Sequence, residues 1–210
     1  CSACHMRHNF SIAQARQPEN CGRCHMGPDH PHLEIFNESK HGIAFNANKM
    51  RFLEDMSDPK WIPGVDFESG PTCSTCHMGP TRNLESTHDV GARISWNLRP
   101  PISEKIDAAA KAQKKEVKSW EARRADMQDV CSSCHAQPWI DNWYGQYDNF
   151  IELYNNKFAR PATELYNLAR SKNLISSEIT FDDELEFTYY YLWHHEGRRA
   201  RHGADAAPGA

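Results

Sequence analysis

Apolar positions divide the chain into two regimes that meet near residue 101. In residues 1–101 they fall in short runs cut by Gly27-Pro28, Pro31, Pro59, Pro63-Gly64, Gly70-Pro71 and Gly79-Pro80, with Pro100-Pro101 closing the region. Glycine and proline at this density interrupt the backbone before a long element can form. The expectation is short helices and wrapping loops. Residues 102–210 carry a helical period instead. From Ser103, a candidate N-cap, apolar side chains recur at Ile106, Ala110, Val117, Trp120 and Met127 and define one helical face. That stripe runs into Cys131 and Cys134, while Lys111, Lys114, Lys115, Lys118 and Arg123 form the opposite, solvated face. A second helix is expected through Tyr147, Phe150, Ile151, Tyr154 and Phe158, stopping before Pro161. A third starts at Pro161 and takes in Leu165 and Leu168. The fourth opens on Thr180 and Asp183 in capping-box spacing and runs through Leu185, Leu192, His195 and His202 towards Gly203. No strand is expected, so the fold class is mainly α.

Cysteine usage changes the picture. All eight cysteines fall in C-x-x-C-H motifs: Cys1-Cys4-His5, Cys21-Cys24-His25, Cys73-Cys76-His77 and Cys131-Cys134-His135. This pattern reads as c-type haem attachment, with two thiols adding across the vinyl groups and the histidine serving as proximal iron ligand. Zinc knuckles and redox disulfides also use paired C-x-x-C units. Neither accounts for a histidine after the second cysteine in all four, nor for separations of 20, 52 and 58 residues between successive motifs. Four haems also explain a lean composition. The hydrophobic fraction is 39% and the mean hydropathy -0.77, so the flat apolar macrocycles would stand in for a side-chain core. The chain is therefore expected to be a multihaem cytochrome c, with three haems in residues 1–101 and one in the helical region 102–210. A net charge of -4 points to no nucleic-acid partner, and no window has the length of a transmembrane helix. Haem attachment of this type belongs to exported proteins. Because residue 1 is itself a haem cysteine, the chain is expected to be a portion of something longer.

Beyond the four motif ligands, eight histidines remain: His8, His30, His32, His41, His88, His194, His195 and His202. An electron-transfer haem is commonly closed by a second axial ligand, often histidine. The alternative for any one of them is a surface or hydrogen-bonded histidine. His8 lies three residues past His5 and could reach a neighbouring iron. His41 and His88 sit alone in what are expected to be haem-dense loops, which suits distal ligands. His195 and His202 share a helical face, while His194 points about 100° away from His195. Asp29-His30 differs in kind. A carboxylate beside an imidazole can collect protons from a substrate at an open iron, or it can be a distal ligand with a hydrogen-bonded neighbour. The residues leave both open.

The runs Cys1-x-x-Cys4-His5-Met6-Arg7-His8-Asn9-Phe10-Ser11, Cys21-x-x-Cys24-His25-x-Gly27-Pro28-Asp29-His30-Pro31, Ser39-Lys40-His41-Gly42 and Pro71-Thr72-Cys73-x-Thr75-Cys76-His77-Met78 resemble the octahaem hydroxylamine oxidoreductase and hydrazine dehydrogenase family. So do Thr87-His88-Asp89-Val90-Gly91, Ile94-Ser95-Trp96-x-Leu98-Arg99-Pro100-Pro101 and Leu192-Trp193-His194-His195-Glu196-Gly197-Arg198-Arg199-Ala200-Arg201-His202-Gly203-Ala204. The resemblance implies a mostly helical, often trimeric oxidoreductase of the periplasm or the anammox organelle lumen. It implies a small nitrogen substrate, hydroxylamine or hydrazine, and a cytochrome c as redox partner. Members carry about eight haems, all but one closed by two histidines. Under the resemblance, Asp29 and His30 match the pair over the open iron. A tyrosine among Tyr189, Tyr190 and Tyr191, here taken as Tyr191, matches the residue crosslinked to a neighbouring subunit's open haem. His5, His25, His77 and His135 are the expected proximal ligands. His8, His41, His88, His195 and His202 are the candidate further iron ligands, more than four irons need and without assignment to particular irons. Counting back from Cys131 makes the first motif here the family's fifth and places the catalytic haem before residue 1; otherwise His5 serves it and a later motif is missing. Members lacking the crosslink reduce nitrite or another nitrogen oxide. A carrier with every iron closed is the reading outside catalysis.

Overall fold

Ser39 begins the longest helix of the first half by accepting a hydrogen bond from the Gly42 amide (3.1 Å), the usual N-cap device. The computed structural model describes residues 1–206 except 29, 66, 69, 95–108, 115–117 and 177–178. Short helices α1 (Ser2–His5), α2 (Ile12–Arg16), α3 (Pro18–Gly22) and α4 (His32–Glu38) come first. They are followed by α5 (Lys40–Asp55), longer than the expected short elements, and by α6 (Cys73–His77). The second half contains α7 (Trp120–Ser132), α8 (Gln137–Tyr154), α9 (Arg160–Ser171), α10 (Glu184–Tyr190) and α11 (Gly197–Ala206). Among the described residues the only β feature is an isolated bridge between Pro63 and Phe67. The mainly α expectation holds.

Among the described residues two apolar clusters stand out. On α5, Phe45 and Phe52 lie seven residues apart, two turns along one face, and pack with Met56 and Trp61. The Arg16 guanidinium ties α2 to this cluster, donating to the Met56 carbonyl (2.8 Å) and lying over the Trp61 ring. Between α4 and α5 the backbone turns so tightly that a Cβ at Gly42 would collide with the Phe36 carbonyl. The second cluster is the face Ile140, Tyr144, Tyr147 and Ile151 of α8, with Trp139, Trp143, Cys131 and Ala204 packed against it. Arg124 on α7 closes it from above, forming a two-pronged bond with Asp148 (2.9 and 3.0 Å) and stacking over Tyr144.

Three expected helix boundaries move. Ser119, not Ser103, caps the helix that runs into Cys131, accepting from the Ala122 amide. Lys114 has φ +54°, a left-handed conformation in which no helix continues, so the stripe breaks there; Ser103, Ile106 and Val117 lie outside the described residues. Pro161 does not stop the second helix. A wide five-residue turn over Asn155–Ala159 carries the chain from α8 into α9, absorbing the ring and its missing N–H. Thr180 is not a cap either. Asp183 takes that place, its carboxylate accepting from the Leu185 amide (2.7 Å).

A second wide turn, Tyr191–Glu196, links α10 to α11. It is closed by the Gly197 amide donating to the Leu192 carbonyl, which also accepts from the Tyr154 hydroxyl (2.9 Å). A Cβ at Gly197 would overlap that hydroxyl, so a larger residue there would have to displace the Tyr154 side chain. This junction aims α11 back across α4 of the first half. No described helix is long and apolar enough to cross a membrane.

Phe45 is fully buried, whereas Met50 on the same helix is 81% exposed. Phe45→Ala should cost about 3–5 kcal/mol, and Met50→Ala should stay within about 0.5 kcal/mol. Urea unfolding of the haem-loaded protein, followed by far-ultraviolet circular dichroism, checks both.

Candidate haem sites

Each motif is a single helical turn. The His5 amide donates to the Cys1 carbonyl (2.9 Å), His25 to Cys21 (3.0 Å) and His135 to Cys131 (2.9 Å). In the third motif α6 itself supplies the turn, capped by a reciprocal pair of hydrogen bonds between Thr72 and Thr75. A four-residue step along a helix returns to nearly the same face, so both thiols and the imidazole project together. None of the eight cysteines is in a disulfide.

Opposite two of these turns stands a second imidazole. The rings of His5 and His88 are 6.3 Å apart, centre to centre, and those of His41 and His135 are 6.0 Å apart. A metal-bound imidazole nitrogen lies about 2 Å from the metal and roughly 1 Å from its own ring centre. Two imidazoles held on opposite sides of one iron therefore have centres about 6 Å apart. The residues fit the group. Burial lowers the pKa of both His41 and His135, and for His41 the neighbouring His135 adds to the effect. Both are thus favoured as neutral imidazoles, the form that binds a metal.

The loop that carries His88 is built by Arg93, a residue that sequence reasoning missed. Its guanidinium is buried and donates to the carbonyls of Cys76 (3.2 Å), Gly79 (2.7 Å) and Glu85 (3.3 Å). The same loop brings the Val90 carbonyl to His77 Nδ1 (3.3 Å), a contact of the kind that fixes a ligating ring. His41, expected in a loop, instead lies in the first turn of α5.

At the second motif, the Leu33 amide bonds back to the His25 carbonyl (3.0 Å). That turn sets the His32 ring 5.1 Å from His25, edge to face. His202, buried on α11, has its ring centre 4.1 Å from that of His32, the two planes tilted by 38°. His32 is a second residue the sequence did not single out; its signal was the Gly27-Pro28 turn, which folds the chain back on itself. His30 is exposed, with its ring 6.3 Å from His202 and its Nε2 3.0 Å from an Arg198 nitrogen. A guanidinium can only donate, so this contact makes Nε2 the acceptor. Asp29 lies outside the described residues. His8 is exposed, and the structure sets no motif histidine against it. His195 lies among Tyr190, Tyr191 and His194.

The tyrosines separate by environment. Tyr189 bonds to Thr163 (2.9 Å) and stacks on Tyr166. Tyr190 stacks on His194. Tyr191 is 53% exposed.

Motifs two and three converge. The Cys73 thiol hydrogen-bonds Cys21 and lowers its pKa to about 7, while the same contact and burial push Cys73 up. Groups attached at these two cysteines are neighbours. At the fourth motif, burial pushes the Cys131 thiol up to about 11. Cys134 is exposed on one side and approached on the other by Gly64, whose φ is +79° and whose added Cβ would collide with Cys134 Sγ and the Ser133 carbonyl.

Motif turns on a helical scaffold, with second imidazoles at iron-spanning distance, define a c-type multihaem cytochrome. The chain belongs to the family described as "Seven times multi-haem cytochrome CxxCH", which matches residues 1–160. It is 33% identical over 176 residues to a Kuenenia stuttgartiensis protein described as a probable nitrite reductase-hydroxylamine oxidoreductase fusion, covering 72% of this chain and 20% of that one. Among solved structures, a hypothetical multiheme protein superposes with a TM-score of 0.77 at 26% identity over 98% of this chain and 52% of that chain. The reducing hydroxylamine-oxidoreductase-like complex of Kuenenia stuttgartiensis shares the fold, with a TM-score of 0.68 at 22% identity over 98% of this chain and 53% of that chain. The chain thus spans a fifth of the length of that curated relative and about half of these structures. The resemblance to multihaem proteins of the hydroxylamine oxidoreductase type is borne out.

Gly64→Ala should obstruct attachment at Cys134 while sparing the other motifs. Intact mass is expected to show chains with three haems in place of four, and unfolding by circular dichroism separates this from global loss of structure.

Proposed function

We propose that this chain works within an oxidoreductase that oxidises hydroxylamine or hydrazine and conducts the electrons along haems closed by two histidines. The observation that carries the reading is the pair of opposed imidazoles, His5 with His88 and His41 with His135, at the separation an iron between them requires. His5, His25, His77 and His135 are the proximal ligands, and the cysteine pairs Cys1/Cys4, Cys21/Cys24, Cys73/Cys76 and Cys131/Cys134 form the thioethers. His32, edge-on to His25, and His202 beside it are the ligand candidates for the second haem. When bound, haem c supplies an iron that cycles between ferric and ferrous and, where one axial position is open, binds a substrate nitrogen. Around it the residues handle protons. His30, with Asp29 beside it in sequence, accepts the protons that leave as the substrate is oxidised. Tyr191 serves as the crosslinking residue to a neighbouring subunit of a trimer, a role its exposure supports. The setting is an exported compartment, the periplasm or an anammox organelle lumen, with a cytochrome c as electron acceptor.

A second reading, reduction of nitrite or a related oxide, has one observation in its favour. Arg198 places a permanent cation against His30, and a cation suits an anionic substrate. The name of the Kuenenia relative, a nitrite reductase-hydroxylamine oxidoreductase fusion, covers both directions.

Mixing the oxidised holoprotein with hydroxylamine or hydrazine should reduce its haems within seconds, read at the c-type absorption bands. Nitrite should leave the dithionite-reduced protein reduced. The reverse pattern selects the second reading, and no response to any of the three, with full reduction by dithionite, leaves a pure carrier. His88→Ala should keep four haems by mass but convert one from low-spin to high-spin, slowing electron transfer about tenfold or more in stopped flow. An unchanged spectrum would remove His88 as a ligand.

A further inference from the structure

His135 and His77 are held in different ways. His77 has the Val90 carbonyl at Nδ1. Among the described residues, His135 has no hydrogen-bond partner on its ring nitrogens. What it has is Trp139, whose indole lies flat on the imidazole with ring centres 3.9 Å apart and planes 13° from parallel.

The placement follows from the local chain. α7 ends just before His135, Ala136 is extended (φ -72°, ψ 147°), and α8 starts at Gln137 with Pro138 in its first turn. The Trp139 amide then bonds the Ala136 carbonyl (3.0 Å), which directs the indole back over the motif. From behind, Trp139 packs on the cluster of Ile140, Tyr144, Tyr147 and Ile151, so the indole has a fixed backing. A face-to-face contact leaves the imidazole edge, and both its nitrogens, unobstructed. It resists the one motion still open to a ligating ring, rotation about the bond to the metal. Outer contacts that orient a ligand in this way tune the metal as well as hold it.

We propose that Trp139 is the positioning residue of the fourth haem, setting the angle between the planes of its two axial imidazoles, which is 52° between His41 and His135 in this structure. This rests on His41 and His135 being the ligand pair proposed above. In low-spin ferric haem that angle governs the splitting of the iron d orbitals and so the position of the electron paramagnetic resonance signal. A purely structural tryptophan would move stability and leave the signal in place.

The test uses the full haem-loaded chain, oxidised and frozen. In Trp139→Leu, which keeps apolar bulk but no flat face, four haems should remain by mass and one low-spin ferric signal should shift and broaden. Trp139→Phe should restore it. Four unmoved signals in a folded Trp139→Leu overturn the proposal. If Trp139→Leu fails to fold, wild-type protein grown with ring-deuterated tryptophan decides. Deuterium modulation should appear on one low-spin signal and vanish in Trp139→Phe; its absence on every signal, or its persistence in Trp139→Phe, overturns the stack. His41→Ala separates the two levels. It should turn the same haem high-spin, and if that haem stays low-spin and unchanged, the ligand pairing falls and the proposal with it. An effect in His41→Ala with none in Trp139→Leu overturns only the role of Trp139.

Discussion

The hydrogen bond from each motif histidine's amide to the carbonyl four residues before it is the interaction on which the rest of this structure depends. One turn of helix sets two thiols and an imidazole on a common face. Without that turn, the same residues would scatter around the backbone and could not share one macrocycle. The turn also explains why a chain so rich in glycine and proline in its first half still begins its haem sites on helices: α1, α3 and α6 need only four or five residues each.

The side-chain cores are small, one around Phe45 and Trp61 and one around Ile140 and Ile151. Among the described residues they brace the elements that carry the facing histidines. α5 places His41 in its first turn and anchors itself with Phe45 and Phe52 further along. α8 buries one face and lays Trp139 on His135. Arg93 gathers three carbonyls and so shapes the loop that presents His88 to His5 and Val90 to His77. Buried arginine is costly unless its donors are matched, so such a loop has few alternative conformations.

The opposed pairs also join distant parts of the chain. His41 belongs to the first half and His135 to the second, and the close contact of His32 on α4 with His202 on α11 joins the halves as well. The contact between Cys21 and Cys73 brings motifs two and three together in the same way. A group that drew its ligands from such separate elements would couple its binding to tertiary folding. That proximity is also what an electron wire requires.

Much of this was determined by local sequence. The four C-x-x-C-H turns, their cofactor and the helical class follow from residues at fixed short spacing, because a helical turn and a covalent attachment are both local. His41 and His88 could be picked as ligand candidates because they stand alone among the motifs, although His41 lies on a helix and not in the expected loop. Which ring faces which was decided only by the tertiary structure. His5 meets His88, and His135 meets His41, through loops and helix packing that no spacing rule encodes. Arg93 went unnoticed and His32 was not singled out among the spare histidines, because their roles come from folded-back backbone rather than from periodicity. Pro161 looked like a helix end because its ring removes a hydrogen bond, and only the packed chain could absorb that loss in a wider turn. Local chemistry specified the sites; long-range packing paired them, since an iron's second ligand is defined by distance in space and not along the chain.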